Sequence, residues 1–72
     1  MSESPPPITI TTRAEQGGFF EATCGRISGL AGNERAACNF VARRYFGGDG
    51  FTLTQTGPRE WRAAAATEAT LF

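Results

Sequence analysis

The feature that most constrains the fold is a pair of alternating runs separated by a glycine-containing turn. Residues 8–13 read Ile-Thr-Ile-Thr-Thr-Arg and residues 19–24 read Phe-Phe-Glu-Ala-Thr-Cys, with Glu-Gln-Gly-Gly at 15–18 between them. Side chains that alternate between apolar and polar are typical of strands with one buried face, and adjacent glycines tolerate the positive φ of a tight turn. We therefore predict a β-hairpin. Five side chains form its core face: Ile8, Ile10, Phe20, Ala22 and Cys24.

A helical period follows the hairpin. Asn33 is a suitable N-cap, and Glu34 in the first turn complements the helix dipole. Apolar residues recur at helical spacing as far as Phe46, and Gly47-Gly48 can end the helix because glycine tolerates a left-handed conformation. The side chains expected to face the sheet are Ala37, Cys38, Phe40, Val41 and Tyr45.

Two shorter segments lie on either side of this helix. Residues 25–32 are rich in glycine, and we interpret them as a loop anchored by Ile27 and Leu30. Residues 51–54 alternate again and predict a third strand, in which Phe51 and Leu53 point toward the core.

The segment after Gly57 allows two interpretations. Pro58 and Glu60 followed by four consecutive alanines describe a helix. The other interpretation is a turn at 57–59 followed by a strand. In that strand Trp61, Ala63 and Ala65 would share the inner face. We prefer the strand, because tertiary context often overrides propensity.

The predicted fold class is therefore α+β, a small antiparallel sheet with one helix packed on one face, in the order β-β-α-β-β. The domain organisation follows from this order. We expect residues 1–7 to be a disordered proline-rich leader, because three consecutive prolines cannot join a sheet ladder. We expect residues 8–66 to form a single α+β domain and residues 67–72 to form a loose C-terminal tail.

Size and charge limit the functional classes. A domain of 72 residues buries only about 60% of the surface of its unfolded chain, so there is little room for a deep catalytic cleft. Seven arginines balance seven acidic residues, so the net charge favours neither nucleic acid nor a membrane. No apolar run approaches the roughly 20 residues of a membrane span. We also expect no signal peptide, because the first residues lack its basic and apolar regions. We expect a cytoplasmic protein, in the host-cell cytoplasm if a phage encodes it.

Catalytic and metal-binding residues are scarce. The chain has no histidine, which removes the commonest general base and the commonest metal ligand. Cys24 and Cys38 lack the paired spacing of zinc ligands, and we expect small buried thiols, with a disulfide as the alternative. The glycine-rich segment 47–50 follows a helix, whereas a phosphate loop precedes one. We predict no enzyme, no cofactor and no metal site.

Two surfaces remain as candidate binding sites. Arg35, Asn39 and Arg43 recur every four residues on the helix face opposite the sheet, where guanidinium groups can grip phosphates or carboxylates. Arg26, just before the helix, extends that row. The outer face of the sheet is predicted to be a polar plate that carries one aromatic side chain, Phe19. The expected partner-binding residues are therefore Arg26, Arg35, Asn39, Arg43 and Phe19.

The layout from Ile8 to Leu53 resembles two groups of proteins. A β-hairpin, a helix and a further strand occur in this order in the partial double-stranded-RNA-binding fold of HicB-like antitoxins. Size, simple sheet-plus-helix architecture and Ala/Arg-rich composition are similar to those of small phage and mobile-element proteins, particularly type I anti-CRISPR proteins. The second resemblance implies a protein that acts by covering a working surface of a larger nucleoprotein complex.

Three functional interpretations follow. The preferred one is a non-enzymatic binding protein of a phage or mobile element that occludes a surface of a host protein or nucleoprotein complex, such as a type I CRISPR effector. The second is a small nucleic-acid-binding or antitoxin-like module that uses the helix arginines. The third is a self-assembling structural subunit, in which a sheet edge pairs between chains and forms a homodimer.

Overall fold

The structure is a computed structural model that describes residues 6–66. Its elements, in chain order, are β1 Ile8–Ala14, a short 3₁₀ turn Gln16–Gly18, β2 Phe20–Cys24, β3 Ile27–Ala31, α1 Glu34–Phe46, β4 Phe51–Gly57 and β5 Glu60–Ala65. The strands of this range form one antiparallel sheet in the order β3-β2-β1-β5-β4. The predicted α+β class is confirmed. The predicted tail at 67–72 lies outside the described residues, as do the first five residues of the predicted leader.

The element order differs from the prediction in one strand. The segment interpreted as a loop contains β3, which pairs with β2 from Phe20 opposite Ala31 to Cys24 opposite Ile27. A two-residue turn becomes possible because Gly25 has a φ of 60°, which glycine adopts without strain. The order in the described residues is therefore β-β-β-α-β-β.

The C-terminal segment is a strand, as preferred, and its interpretation as a helix is wrong. β5 lies in the interior of the sheet, between β1 and β4, with Ile10 opposite Trp61 and Leu53 opposite Ala63. Such an interior position buries one face of the strand, which is why its packing outweighs the helix propensity of the alanines. Trp61 and Ala63 are buried, on the same face as Ile10.

The core lies between α1 and the inner face of the sheet. Its buried apolar members are Ile10, Ala22, Ala37, Cys38, Val41, Ala42, Trp61 and Ala63. Four of the five side chains predicted for the hairpin core face are confirmed: Ile10 and Ala22 are fully buried, and Ile8 and Cys24 pack against the core half-buried. The fifth, Phe20, is half-buried but does not belong to this cluster. Half of the buried set is alanine, and each buried methylene-sized group contributes only about 0.8 kcal/mol, so the large side chains dominate the stabilisation.

The helix packs mainly on β2 and β3 rather than on the centre of the sheet. Gly29 in β3 allows this close approach: a Cβ built at Gly29 would lie 2.9 Å from Cδ1 of Phe40 and 3.1 Å from its Cβ. Two predicted members of the sheet-facing stripe are not buried, although Phe40 does contact the sheet at Gly29. Phe40 is 49% exposed and Tyr45 is 40% exposed, and Ala42 is buried instead.

Both helix ends are capped as the sequence predicts. The Asn33 side chain accepts a hydrogen bond from the Ala36 N–H at 2.8 Å. Gly47 adopts a left-handed conformation with φ 79°, and its N–H donates to the carbonyl of Arg43 at 2.8 Å. These caps satisfy backbone groups that a helix terminus leaves unpaired.

Candidate functional site

The exposed face of α1 carries the row predicted from sequence. Arg35, Asn39 and Arg43 are all exposed. Arg43 and Asn39 line the outer side of the helix, whereas Arg35 lies on the flank of the helix nearest β4. A shallow surface groove follows this face, lined by Ala36, Asn39, Phe40, Arg43, Arg44, Gly47 and Gly48. Phe40 is half-exposed and lies between the Asn39 amide and the guanidinium groups of Arg43 and Arg44. The groove therefore combines one apolar side chain with charged neighbours.

Asp49 modulates the charge of this face. Its Oδ1 lies 2.9 Å from Nε of Arg43, and both side chains are largely exposed. The contact orients the Arg43 side chain. Because solvent screens such an exposed pair, it contributes little to the free energy of unfolding. Arg35 and Arg44 have no ion pair within residues 6–66, so the face keeps a positive balance.

The one acidic residue of α1 is turned away from this face. Glu34 Oε1 accepts hydrogen bonds from the Trp61 indole Nε1 at 3.0 Å and from the Thr12 hydroxyl at 3.1 Å. Its carboxylate is thereby committed to the sheet and does not offset the arginines on the outer side of the helix. The segregation of charge is a consequence of the fold.

The other predicted site residues are not brought together with the helix row. Arg26 lies in the β2–β3 turn and is exposed. Phe19 lies immediately before β2, on the side of the sheet opposite the helix, and it lines a shallow depression with Arg13, Glu15, Gln16, Glu21 and Leu30. Phe19 is 46% exposed and Leu30 is 57% exposed. The structure thus divides the predicted set among the exposed helix side chains, the β2–β3 turn with Arg26 and an outer-sheet patch with Phe19.

Sequence reasoning missed two members of the helix face. Phe40 was assigned to the buried stripe, and Arg44 was not included in the candidate site. Because α1 is displaced toward β3, Phe40 lies over Gly29 at the margin of the sheet and keeps about half of its surface exposed. A periodic pattern gives the relative orientation of helix residues but not the lateral position of the helix on its sheet.

The described residues contain little that is suited to chemistry. Both cysteines are free thiols, and burial raises the pKa of the Cys38 thiol to about 12, which keeps it protonated and unreactive. Residues 6–66 bring together no group of three His, Cys, Asp or Glu side chains that could hold a metal ion. None of the helical segments in this range has the length and apolar character needed to cross a membrane.

Comparison of the chain with known protein families, with curated proteins and with solved structures finds no match.

Proposed function

We propose that this chain is a non-enzymatic binding protein that covers an acidic surface of a partner protein or nucleoprotein complex with the exposed face of α1. One observation carries the proposal: Phe40, half-exposed, is surrounded by Asn39, Arg43 and Arg44, while the acidic residue of the helix points into the sheet. Aromatic and arginine side chains supply most of the binding energy at protein interfaces, usually as a few central anchors.

The positive charge of this face indicates that the partner surface carries carboxylates. Arginine forms planar, bidentate hydrogen bonds to carboxylates, and Arg35 and Arg44 are exposed to make them. Phe40 supplies the apolar contact that a purely electrostatic surface lacks. A partner patch with carboxylates around an apolar hollow is complementary to both features.

The proposal includes an inhibitory role. In the setting implied by the resemblance to type I anti-CRISPR proteins, the covered surface belongs to a CRISPR effector complex of the host. The protein then acts by occlusion, since a small domain can block a working surface without any chemistry. A purified type I effector complex is accordingly the first partner to test.

The test compares substitutions on the two faces of the domain. Binding to the effector complex is measured by surface plasmon resonance for the wild type, for Phe40→Ala/Arg44→Ala and for Arg13→Ala/Arg62→Ala, which changes the opposite face. We expect the first variant to lose at least about a hundredfold in affinity and the second to bind as the wild type does. Binding that depends on the outer sheet face instead would refute the assignment of the site, and absence of binding would refute the assignment of the partner.

A substitution in the ion pair on the helix face should change the affinity in the opposite direction. Asp49→Asn releases Arg43 and removes one negative charge from the surface, so an acidic partner should be bound more tightly, by about two- to tenfold at low salt. A nucleic-acid-binding module would behave differently. It would bind duplex or single-stranded oligonucleotides alone, with an affinity that falls steeply with salt, and such binding would replace the present proposal.

A further inference from the structure

β4 forms one edge of the sheet, and two hydrogen bonds establish which of its backbone groups point outward. Ala66 N–H donates to the Gly50 carbonyl at 2.9 Å, across the β4–β5 pair. Partners alternate along an antiparallel ladder, so even-numbered residues of β4 face β5 and odd-numbered ones face the edge. The bond from Thr12 N–H to the Arg59 carbonyl gives the same alternation from the other side of β5.

Leu53 and Gln55 therefore direct both their N–H and their C=O groups away from the sheet. Phe51 differs, because its N–H already donates to the Asp49 carbonyl at 2.8 Å. The pairing with β5 stays regular from Phe51 to Gln55, and the bulge comes only between Gln55 and Gly57. Within residues 6–66, nothing pairs with this edge.

β4 lacks the features that usually protect an edge strand. It has seven residues, reads Phe-Thr-Leu-Thr-Gln-Thr-Gly, and contains no charge and no proline. Edge strands of soluble proteins are normally kept apart by charged side chains, prolines, short length or an early bulge. The opposite edge, β3, is shorter and carries Gly29 at its centre, and the helix lies against it through Phe40.

The space beside β4 is open on the helix side. A groove runs between α1 and this strand, lined by Asn33, Arg35, Ala36, Asn39, Phe51, Thr52 and Leu53. Phe51 and Leu53 remain half-buried in it. A strand added to the edge would place its inward side chains in this groove and complete the cover of both residues.

We propose that β4 pairs with β4 of a second copy of this chain, antiparallel about a two-fold axis at Thr54. In this register the N–H and C=O groups of Leu53 pair with the C=O and N–H groups of Gln55 of the other copy. The two-fold axis repeats this pair, so four hydrogen bonds form. The same register sets Thr54 opposite Thr54, and threonine pairs are favourable across strands. Thr52 lies toward Thr56 of the other copy, which is the extra residue of the bulge. A second copy fits because the strand is self-complementary and uncharged, so that no like charges of the two strands meet. The result is a closed dimer with a continuous ten-stranded sheet.

The first experiment measures mass as a function of concentration for the full chain by sedimentation equilibrium. We expect the wild type to move from the 7.7 kDa monomer to twice that mass as its concentration rises from about 10 μM to about 1 mM, as expected for a small interface. Raising the salt concentration should not weaken the dimer, because backbone hydrogen bonds rather than ion pairs hold it. A wild type that stays monomeric throughout overturns the proposal.

A pair of matched substitutions tests the edge. Thr54 and Thr9 are exposed on the outer face, and each lies opposite Arg62, one on either side of β5. Thr54→Glu gains a cross-strand partner in the monomer but sets two carboxylates against each other at the two-fold axis. We expect it to weaken association at least about tenfold. Thr9→Glu adds the same charge beside the same arginine on an interior strand and should dimerise normally. Equal behaviour of the two variants overturns the proposal.

Cross-linking tests the register. Residues at a non-hydrogen-bonded antiparallel position have Cα atoms about 4.5 Å apart, within the range of a disulfide. Thr54→Cys should therefore form a covalent dimer on mild oxidation, whereas Thr52→Cys faces Thr56 of the other copy and should not. Equal cross-linking of the two variants, or none by Thr54→Cys, overturns the register.

Discussion

The indole Nε1 of Trp61 and the hydroxyl of Thr12 donate to the same oxygen of Glu34, at 3.0 and 3.1 Å. Trp61 is 6% exposed and Thr12 is 7% exposed, so neither donor has ready access to water. One carboxylate at the N-terminus of α1 thus connects the helix to β1 and to β5. It is a polar connection at the margin of a core that is otherwise small and apolar.

Removal of this carboxylate should be costly. Glu34→Ala leaves the donors of Thr12 and Trp61 without an acceptor, and each buried unsatisfied group costs about 1–3 kcal/mol, so we expect a loss of about 2–4 kcal/mol. Glu34→Gln keeps one oxygen acceptor and should lose about 1 kcal/mol. The free energy of unfolding is measured with urea and far-UV circular dichroism. Exposed Glu60→Ala is the control, with an expected change below about 0.5 kcal/mol; a comparable small change in Glu34→Ala would contradict the prediction.

The Cys38 thiol should make the fold sensitive to alkaline pH. Burial in the core, with a smaller contribution from the Glu34 carboxylate, raises the pKa of Cys38 from 9.0 to about 12. The unfolded chain releases this proton first, so its stabilising contribution is complete below about pH 9 and is lost as the pH rises toward 12. We expect a loss of about 1 kcal/mol by pH 10 from this group.

Urea unfolding of the wild type and of Cys38→Ala between pH 7.5 and about 10.5 isolates this effect. The difference in unfolding free energy between the two proteins should shrink as the pH rises. A difference that stays constant over this range would show that the thiol titrates equally in both states.

The contact between Gly29 and Phe40 gives a prediction about packing. Gly29→Ala places a methyl group within 3.2 Å of three atoms of Phe40, and the helix or the ring must move. Overpacking of this kind costs about 1–3 kcal/mol. Phe40→Ala in the same chain should restore most of the loss, which a double-mutant cycle by urea unfolding can measure. Gly32→Ala meets no atom within 4 Å and serves as the control; additive effects of the two substitutions would contradict the proposed contact.

The β4–β5 turn contains a strained residue. Arg59 has a φ of 62° and is the non-glycine residue with positive φ in the described range. Arg59→Gly removes the clash of the Cβ, and after the entropic penalty of glycine we expect a gain of about 0.5–1 kcal/mol. Arg59→Ala removes the charge but keeps the strain, so it should bring no gain. Thermal unfolding midpoints of the two variants separate backbone strain from charge.

Elements with a strong hydrophobic period were predictable, and β3 was not. Its five residues include Gly29, which lowers strand propensity, and what makes the segment a strand is pairing with β2 and the cover that Phe40 provides. The order of the strands in the sheet could not be predicted either, because periodicity contains no information on which strands pair, such as the pairing of Ile8 with Ala63. In contrast, Asn33 and Gly47 identified the helix ends from local chemistry alone.

The candidate site was predictable only in part. The Arg35, Asn39 and Arg43 row followed from helical spacing, which is a local property. That Phe40 joins it, and that Phe19 lies on the other face of the sheet, depends on where the helix rests on the strands. Gly29 has no side chain and therefore allows the helix to approach β3 closely. This is a tertiary contact, which local sequence patterns do not contain.

The central pairing of β1 with β5 has a consequence for the rate of folding. β2, β3 and α1 can meet β1 through short loops, but Ile8 must find Ala63 across most of the described chain. Closing so long a loop costs conformational entropy before any contact stabilises it, so proteins dominated by distant pairings fold slowly. We therefore expect the two hairpins to form early, and their joining along β1 and β5 to limit the rate at which the domain is completed.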